Sequence, residues 1–135
     1  MDPSAALEYV RNNDRAVMLT TRRNGSPAMA PVTVAVVDEQ ITMSTRETAY
    51  KVGHLRRNPE TSLCVFPEKW LGRWVQINCR ATVVSLPDAL DTLVDYYRTL
   101  RGEHPDWDEY RQAMVDDKRC IVRFEILSAG PDVAG

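Results

Sequence analysis

The sequence predicts a β-rich α+β fold: a barrel-like sheet of about six or seven antiparallel strands, decorated by three or four helices. Three observations predict it. Strand-type runs rich in Val, Ile and Thr succeed one another across short turns, the first carrying Asn24-Gly25, the strongest short-range hairpin dipeptide. Helical patterns fall between the later strands and never alternate regularly with them, unlike a doubly wound parallel sheet. GxGxxG, GxxxxGK[ST] and GxSxG are all absent, so the Rossmann, P-loop and α/β-hydrolase frames fail at their motifs.

In chain order, residues 3–13 read as a short amphipathic helix with Leu7 and Val10 on one side. Ala16–Thr21 is apolar and β-branched, hence a strand. Residues 22–26 turn the chain into a returning strand over Pro27–Val37, where Pro31 calls for an edge position or a bulge. Asp38-Glu39 leads into a strand over Ile41–Ser44. A polar turn, Thr45–Thr48, then offers Thr48 as the N-cap of a short helix over Ala49–Arg57, stopped by Asn58-Pro59. Thr61–Phe66 is the next strand and PEKWLGR (67–73) a loop. Over Trp74–Leu86, Val75, Ile77, Cys79, Ala81 and Val83 alternate with Trp74, Gln76, Asn78, Arg80 and Thr82, giving one apolar and one polar or aromatic face. Leu86, Leu90, Leu93, Val94, Tyr97 and Leu100 repeat at helical spacing over 86–101. Ser85-x-x-Asp88 resembles a capping box there, and Gly102 is a stop. A further helix spans about Pro105–Asp116, a strand spans Cys120–Leu127, and the small polar tail SAGPDVAG is expected to fray.

The 135 residues suit one domain. With 44% hydrophobic and 27% charged residues the composition is that of an ordinary globular chain, and a net charge of −2 supplies no basic field for nucleic acid. No apolar run approaches a membrane span, and the N-terminus lacks a basic-then-apolar leader. Cys64, Cys79 and Cys120 are widely spaced inside strands, which predicts reduced, buried thiols and a cytoplasmic location. No Cys or His pair has metal-ligand spacing, so no metal is expected.

The stretch from Ile41 to Phe66 carries the candidate chemistry. A helix start presents free N–H groups and partial positive charge, which suits an anion. Lys51 sits in the first turn, Ser44, Thr45 and Thr48 add hydroxyls, and Arg46 adds a second cation. Together they can hold a cofactor phosphate; a solvated basic helix would look the same. His54 follows Lys51 by three residues and can share its side, or lie on the surface. The polar face of the 74–86 strand can line a site or a subunit contact, or simply meet solvent. No nucleophile or acid–base pair is legible and no catalytic residue is assigned, so reactive atoms would belong to a bound cofactor.

Three segments resemble the split β-barrel superfamily of flavin and deazaflavin proteins that includes pyridoxamine 5′-phosphate oxidase. They are AVMLTTRRNGSPAMAPV, ITMSTRETAYKVGHLRRNPETSLCVF and WVQINCRATVV, and the run GEHPDWDEYRQAMVDDKRCI is similar to the helical ending of the branch that uses coenzyme F420. The resemblance spans about residues 5–127. It implies a six- to seven-stranded antiparallel split β-barrel with three to four helices, homodimeric, with cofactor sites between the subunits. It implies a cofactor phosphate held over Ser44–Lys51, with Lys51 as its main ligand, and a ring lying against Pro31, Val32 and Thr33. Trp74 and Gln76 match positions that approach the site, from the partner in many members. Ala49, His54 and Cys79 depart from the family pattern. The implied activity is an F420-dependent reductase acting on an unsaturated small molecule. FMN chemistry on the same fold and a non-catalytic cofactor- or haem-binding role are the alternatives.

Overall fold

A computed structural model describes residues 1–135. Helix α1 (Pro3–Asn12) is capped by Asp2, whose carboxylate accepts from the Ala5 N–H at 2.8 Å. Strand β1 (Arg15–Thr21) pairs with β2 (Pro27–Thr33) in an unbroken antiparallel register. The turn between them places Gly25 at φ 87°, which glycine adopts without steric cost. After β2 the chain bends at Val34, whose N–H donates to the Asp14 carbonyl at 2.8 Å, and continues as β3 (Ala35–Val37). Asp38 and Glu39, both at positive φ, return it into β4 (Gln40–Arg46), the geometry of a two-residue hairpin loop whose twist matches the strands.

The expected single strand over Pro27–Val37 is therefore two. The difference makes the barrel. One sheet runs in the order β2-β1-β5-β6-β7-β4-β3, so β2 and β3 are its opposite ends although one buried residue, Val34, joins them. A sheet whose ends are tied that closely must curl on itself. Its core is filled by inward residues including Phe124, Met18, Ile41, Met43, Leu63 and Ile77, and Ala6 and Val10 of α1 join that cluster. Pro31 lies on an edge strand with no register shift, so the edge and not the bulge accommodates its missing N–H.

Helix α2 (Tyr50–Arg57) links β4 to β5 (Glu60–Phe66), and buries Val52 and Leu55. Thr48 is not its cap: the N-cap is Ala49, without a side-chain hydrogen bond. Strand β6 (Trp74–Val84) shows the predicted alternation, with Val75, Ile77, Cys79 and Ala81 inside. The capping box at Ser85 is also absent. Helix α3 (Leu90–Arg101) begins after Ala89, and the Ser85 hydroxyl donates to Glu47 at 2.8 Å instead. Helix α4 (Trp107–Asp116) is capped by Asp106, which accepts from the Glu109 N–H at 3.1 Å. It packs on α3 through Tyr97, His104, Trp107 and Tyr110, whose rings stand 4.9–5.8 Å apart. This packing assigns those aromatics to structure.

The tail does not fray. Strand β7 runs from Arg119 to Val133 and pairs with β6 as far as Trp74↔Val133. An Arg73–Asp132 ion pair and the Gly135 N–H donating to Leu71 at 3.0 Å hold its end. Small polar residues carry little strand propensity, but β6 offers them a ladder of backbone groups. Cys64, Cys79 and Cys120 are free thiols; Cys79 and Cys120 are buried and Cys64 half-buried. Burial pushes the Cys79 and Cys120 thiols up to about 12, so neither is a nucleophile near neutral pH. No helix is long and apolar enough to cross a membrane. No group of three or more His, Cys, Asp or Glu side chains is placed to hold a metal ion.

Candidate functional site

The curled sheet leaves a seam. Strands β2 and β4 approach each other without a hydrogen-bonded ladder, and the seam holds a slot of about 450 Å³. Pro31, Val32 and Thr33 of β2 line one wall. Ser44 and Thr45 of β4 line the other, and Lys51 reaches in from the first turn of α2. The predicted ring wall and the predicted phosphate turn thus share one cavity. Their separation along the chain disappears because the sheet closes at this point.

Several contributors to the slot escaped the sequence reading. Tyr96 of α3 enters from outside the sheet, and its hydroxyl donates to the Thr33 carbonyl at 2.8 Å. That bond satisfies an edge carbonyl that β2 cannot pair in the sheet. Burial raises the Tyr96 phenol above its ordinary range, so it stays protonated as a donor. Arg15 of β1 stands opposite both Thr33 and Phe66 in register and lines the slot with Phe66. Arg119 of β7 lines it too, bound to Asp117 at 2.7 Å. The only sequence trace of these residues was their type, because the sheet order, not local pattern, brings them together.

Beyond Lys51 the slot meets a groove of about 740 Å³ between the β1–β2 hairpin and α2. Arg22, Arg23, Lys51, His54 and Arg57 line it, and no carboxylate does. Arg22, Arg23, Lys51 and Arg57 form no ion pair. His54 accepts from or donates to Thr20 at 2.9 Å. Its pKa is lowered, first by burial and then by the charges of Arg57 and Arg22. Concentrated, unanswered positive charge in a chain of net charge −2 is the electrostatic form of an anion site.

The other predicted residues stand apart. Arg46 ends β4 with its guanidinium on Asp117 at 2.9 Å, and that hydrogen bond holds the carboxyl below the usual range. It is committed to a structural pair. Thr48 lines neither the slot nor the groove. Trp74 and Gln76 lie on the outer face of the sheet. Gln76 is reached from Pro31 across Val17 and Cys64 in register, roughly 14 Å at ordinary strand spacing. It donates to Asn78 at 3.0 Å, while the Trp74 indole donates to the Gly135 carbonyl at 3.2 Å.

The family model for pyridoxamine 5′-phosphate oxidase matches residues 3–129. The chain belongs to that family. Among solved structures, the protein is similar to a conserved hypothetical protein from Mycobacterium tuberculosis, at 22% identity and a TM-score of 0.78, over 96% of this chain and 82% of that one. An F420 reductase matches at 13% identity and a TM-score of 0.71, over 91% and 94%. A haem storage protein from Vibrio cholerae matches at 12% identity and a TM-score of 0.71, over 100% and 98%. At these identities the likeness is one of fold. The pyridoxamine 5′-phosphate oxidase-like frame thus carries the slot between β2 and β4.

Proposed function

We propose that this protein is an F420-dependent oxidoreductase. One observation supports the reading above the rest: Lys51, free of any ion pair, lies where the ring-sized slot meets a groove lined by several cations and no carboxylate. A cofactor with a flat ring and a strongly anionic arm matches both spaces at once. Lys51 and the Ser44 and Thr45 hydroxyls would hold the phosphate. Arg22, Arg23 and Arg57 would attract the acidic groups beyond it. Val32 and Thr33 would position the ring, with Tyr96 fixing the Thr33 carbonyl. Bound there in reduced form, the deazaflavin would supply hydride to an unsaturated small molecule. FMN, with a single terminal phosphate, would leave most of the groove unanswered.

Side-by-side titration tests the choice. F420 should bind at low micromolar or better, roughly −8 kcal/mol, more tightly than FMN and with affinity that falls as salt rises. Lys51→Ala should weaken F420 by about 1–3 kcal/mol. Equal or tighter binding of FMN overturns the cofactor assignment. F420 binding without oxidation of the reduced cofactor by any of a panel of quinones, enones and tetrapyrroles would favour a carrier over an enzyme.

A homodimer belongs to the same proposal. The outer face of the sheet exposes Met29 by 73% and Leu19 by 40%, side by side in register, beside a hydrogen-bonded patch of Ser62, Gln76, Asn78 and Ser128. A second copy covering this face would also give Trp74 and Gln76 a route to the partner's slot. Light scattering should return twice the 15.3 kDa of one chain; a monomer at working concentration rejects this part.

A further inference from the structure

Three cationic side chains line the slot, and no carboxylate lines it. Two of the three are committed. Lys51 faces the proposed phosphate, and Arg119 is held by Asp117 at 2.7 Å. Arg15 has no such commitment. Its one ion-pair partner is Glu68, which stands 3.9 Å away with its side chain 90% exposed. That separation is longer than a hydrogen bond, and an exposed pair of this kind is worth little. A guanidinium is a planar fork of donors that fits a carboxylate through two parallel hydrogen bonds. The fork of Arg15 is open.

The sheet register gives this charge a place. Arg15 stands opposite Thr33 on one side and Phe66 on the other. The groove begins at Met18 and Ala30, which pair three residues further along the same two strands, roughly 10 Å away at ordinary strand spacing. Lys51 lines both slot and groove. Lys51 therefore marks the groove end of the slot, and Arg15 marks the other end. A ring against Pro31, Val32 and Thr33, with its phosphate at Lys51, would end beside Arg15 and the Phe66 side chain. Arg15 and Phe66 also line a wider space of about 1020 Å³ at the ends of α1 and α3. A second molecule can reach Arg15 from that side without crossing the cationic groove. Of the two arginines in that space, Arg11 is held by Glu39 at 2.6 Å, so the open fork is that of Arg15.

We propose that Arg15 is the substrate-recognition residue of the oxidoreductase proposed above: it holds a carboxylate of the unsaturated substrate, whose adjoining hydrocarbon lies against Phe66. The substrate role rests on the cofactor reading; the carboxylate site does not. Charge then sets specificity. A ketone of the same shape accepts a neutral hydrogen bond where the acid accepts two charge-assisted ones, so the site prefers the acid.

Cinnamate and benzylideneacetone, in which a methyl ketone replaces the carboxylate, are matched probes. Binding of each to the purified full chain is followed by calorimetry and saturation-transfer NMR, with and without F420. Cinnamate should bind at least fivefold more tightly than benzylideneacetone, and should still bind when F420 is present. Arg15→Gln should weaken cinnamate about tenfold, while leaving the ketone and F420 within twofold of their wild-type affinities. Arg15→Lys, which keeps the charge and loses the fork, should fall between the two. Arg57→Ala, in the groove, should leave cinnamate within twofold. Cinnamate binding no tighter than the ketone, unchanged cinnamate binding by Arg15→Gln, or displacement of cinnamate by F420 would each overturn the assignment. A loss on Arg57→Ala as large as that on Arg15→Gln would place the carboxylate in the groove and overturn it equally. If cinnamate follows the expected pattern and F420 does not bind, the cofactor reading fails while the carboxylate site stands. If F420 binds and the cinnamate pattern fails, only the role of Arg15 falls.

Discussion

On one side of the seam, Arg22, Arg23, Lys51 and Arg57 line a groove with no carboxylate among them. On the other side, Arg11, Arg15 and Lys69 share a cavity with Asp14 and Glu68, and Arg11 is further bound by Glu39. Both spaces adjoin the same slot. They differ in whether positive charge is answered inside the protein. An unanswered cluster stores electrostatic potential that only an external anion can relieve; a balanced cluster has largely relieved it already. The difference teaches that one curled sheet can leave some of its surface charges paired and others unpaired on either side of a single seam.

The largest expected effect comes from removing the imbalance. Lys51→Ala combined with Arg57→Ala should cut affinity for F420 by roughly 100-fold, since two charge-assisted contacts are lost, and flatten its salt dependence. Calorimetry at two ionic strengths measures both. The unfolding midpoint should not fall; a parallel loss of stability would mean that these cations serve the fold. The comparison can also be inverted. Asp14→Asn with Glu68→Gln leaves Arg15 and Lys69 unanswered in the charge-balanced cavity, and a small carboxylate such as cinnamate should then bind about fivefold more tightly than to the wild type. No gain would mean that charge balance does not govern that cavity.

A smaller effect is expected where the two spaces meet the slot. Tyr96→Phe removes the donor to the Thr33 carbonyl and should destabilise the fold by about 1 kcal/mol, read from thermal or denaturant unfolding. The smallest effect is the most specific. The imidazole of His54 is held below its ordinary pKa by burial and by the Arg57 and Arg22 charges. An anion in the groove offsets those charges, so the His54 pKa should rise on adding F420 or inorganic phosphate, as followed by NMR titration. In the free protein the sign is opposite. The unfolded chain binds the His54 proton more readily, so stability should fall as pH drops through the ordinary histidine range and level off below the folded pKa. A His54 pKa unmoved by saturating anion would separate this residue from the groove.

Legibility followed the range of the interactions. Lys51, Ser44 and Thr45 were readable because strand end, turn and helix start are contiguous. Alternation along β6 was readable because its inner face is uniformly apolar. Pro31 and the hairpin turns were readable from their own backbone chemistry. Thr48 and Ser85 failed as caps for different reasons: the first helical residue of α2 came later than the polar run suggested, and the Ser85 hydroxyl found Glu47 far along the chain. The tail failed because its strand is imposed by β6 and not by its own residues. Arg46 looked like a spare cation until Asp117 was brought beside it.

By itself the sequence determined where most strands and helices form, which faces are apolar and that a hydroxyl-bearing turn precedes α2, because these depend on neighbours within a few residues. Only the tertiary structure decided that β2 and β4 face each other across an unpaired seam, that Arg15, Tyr96 and Arg119 join Lys51 there, and which cations remain unanswered. Those outcomes depend on sheet closure, which brings distant residues within bonding range and lets some charges find partners while denying them to others.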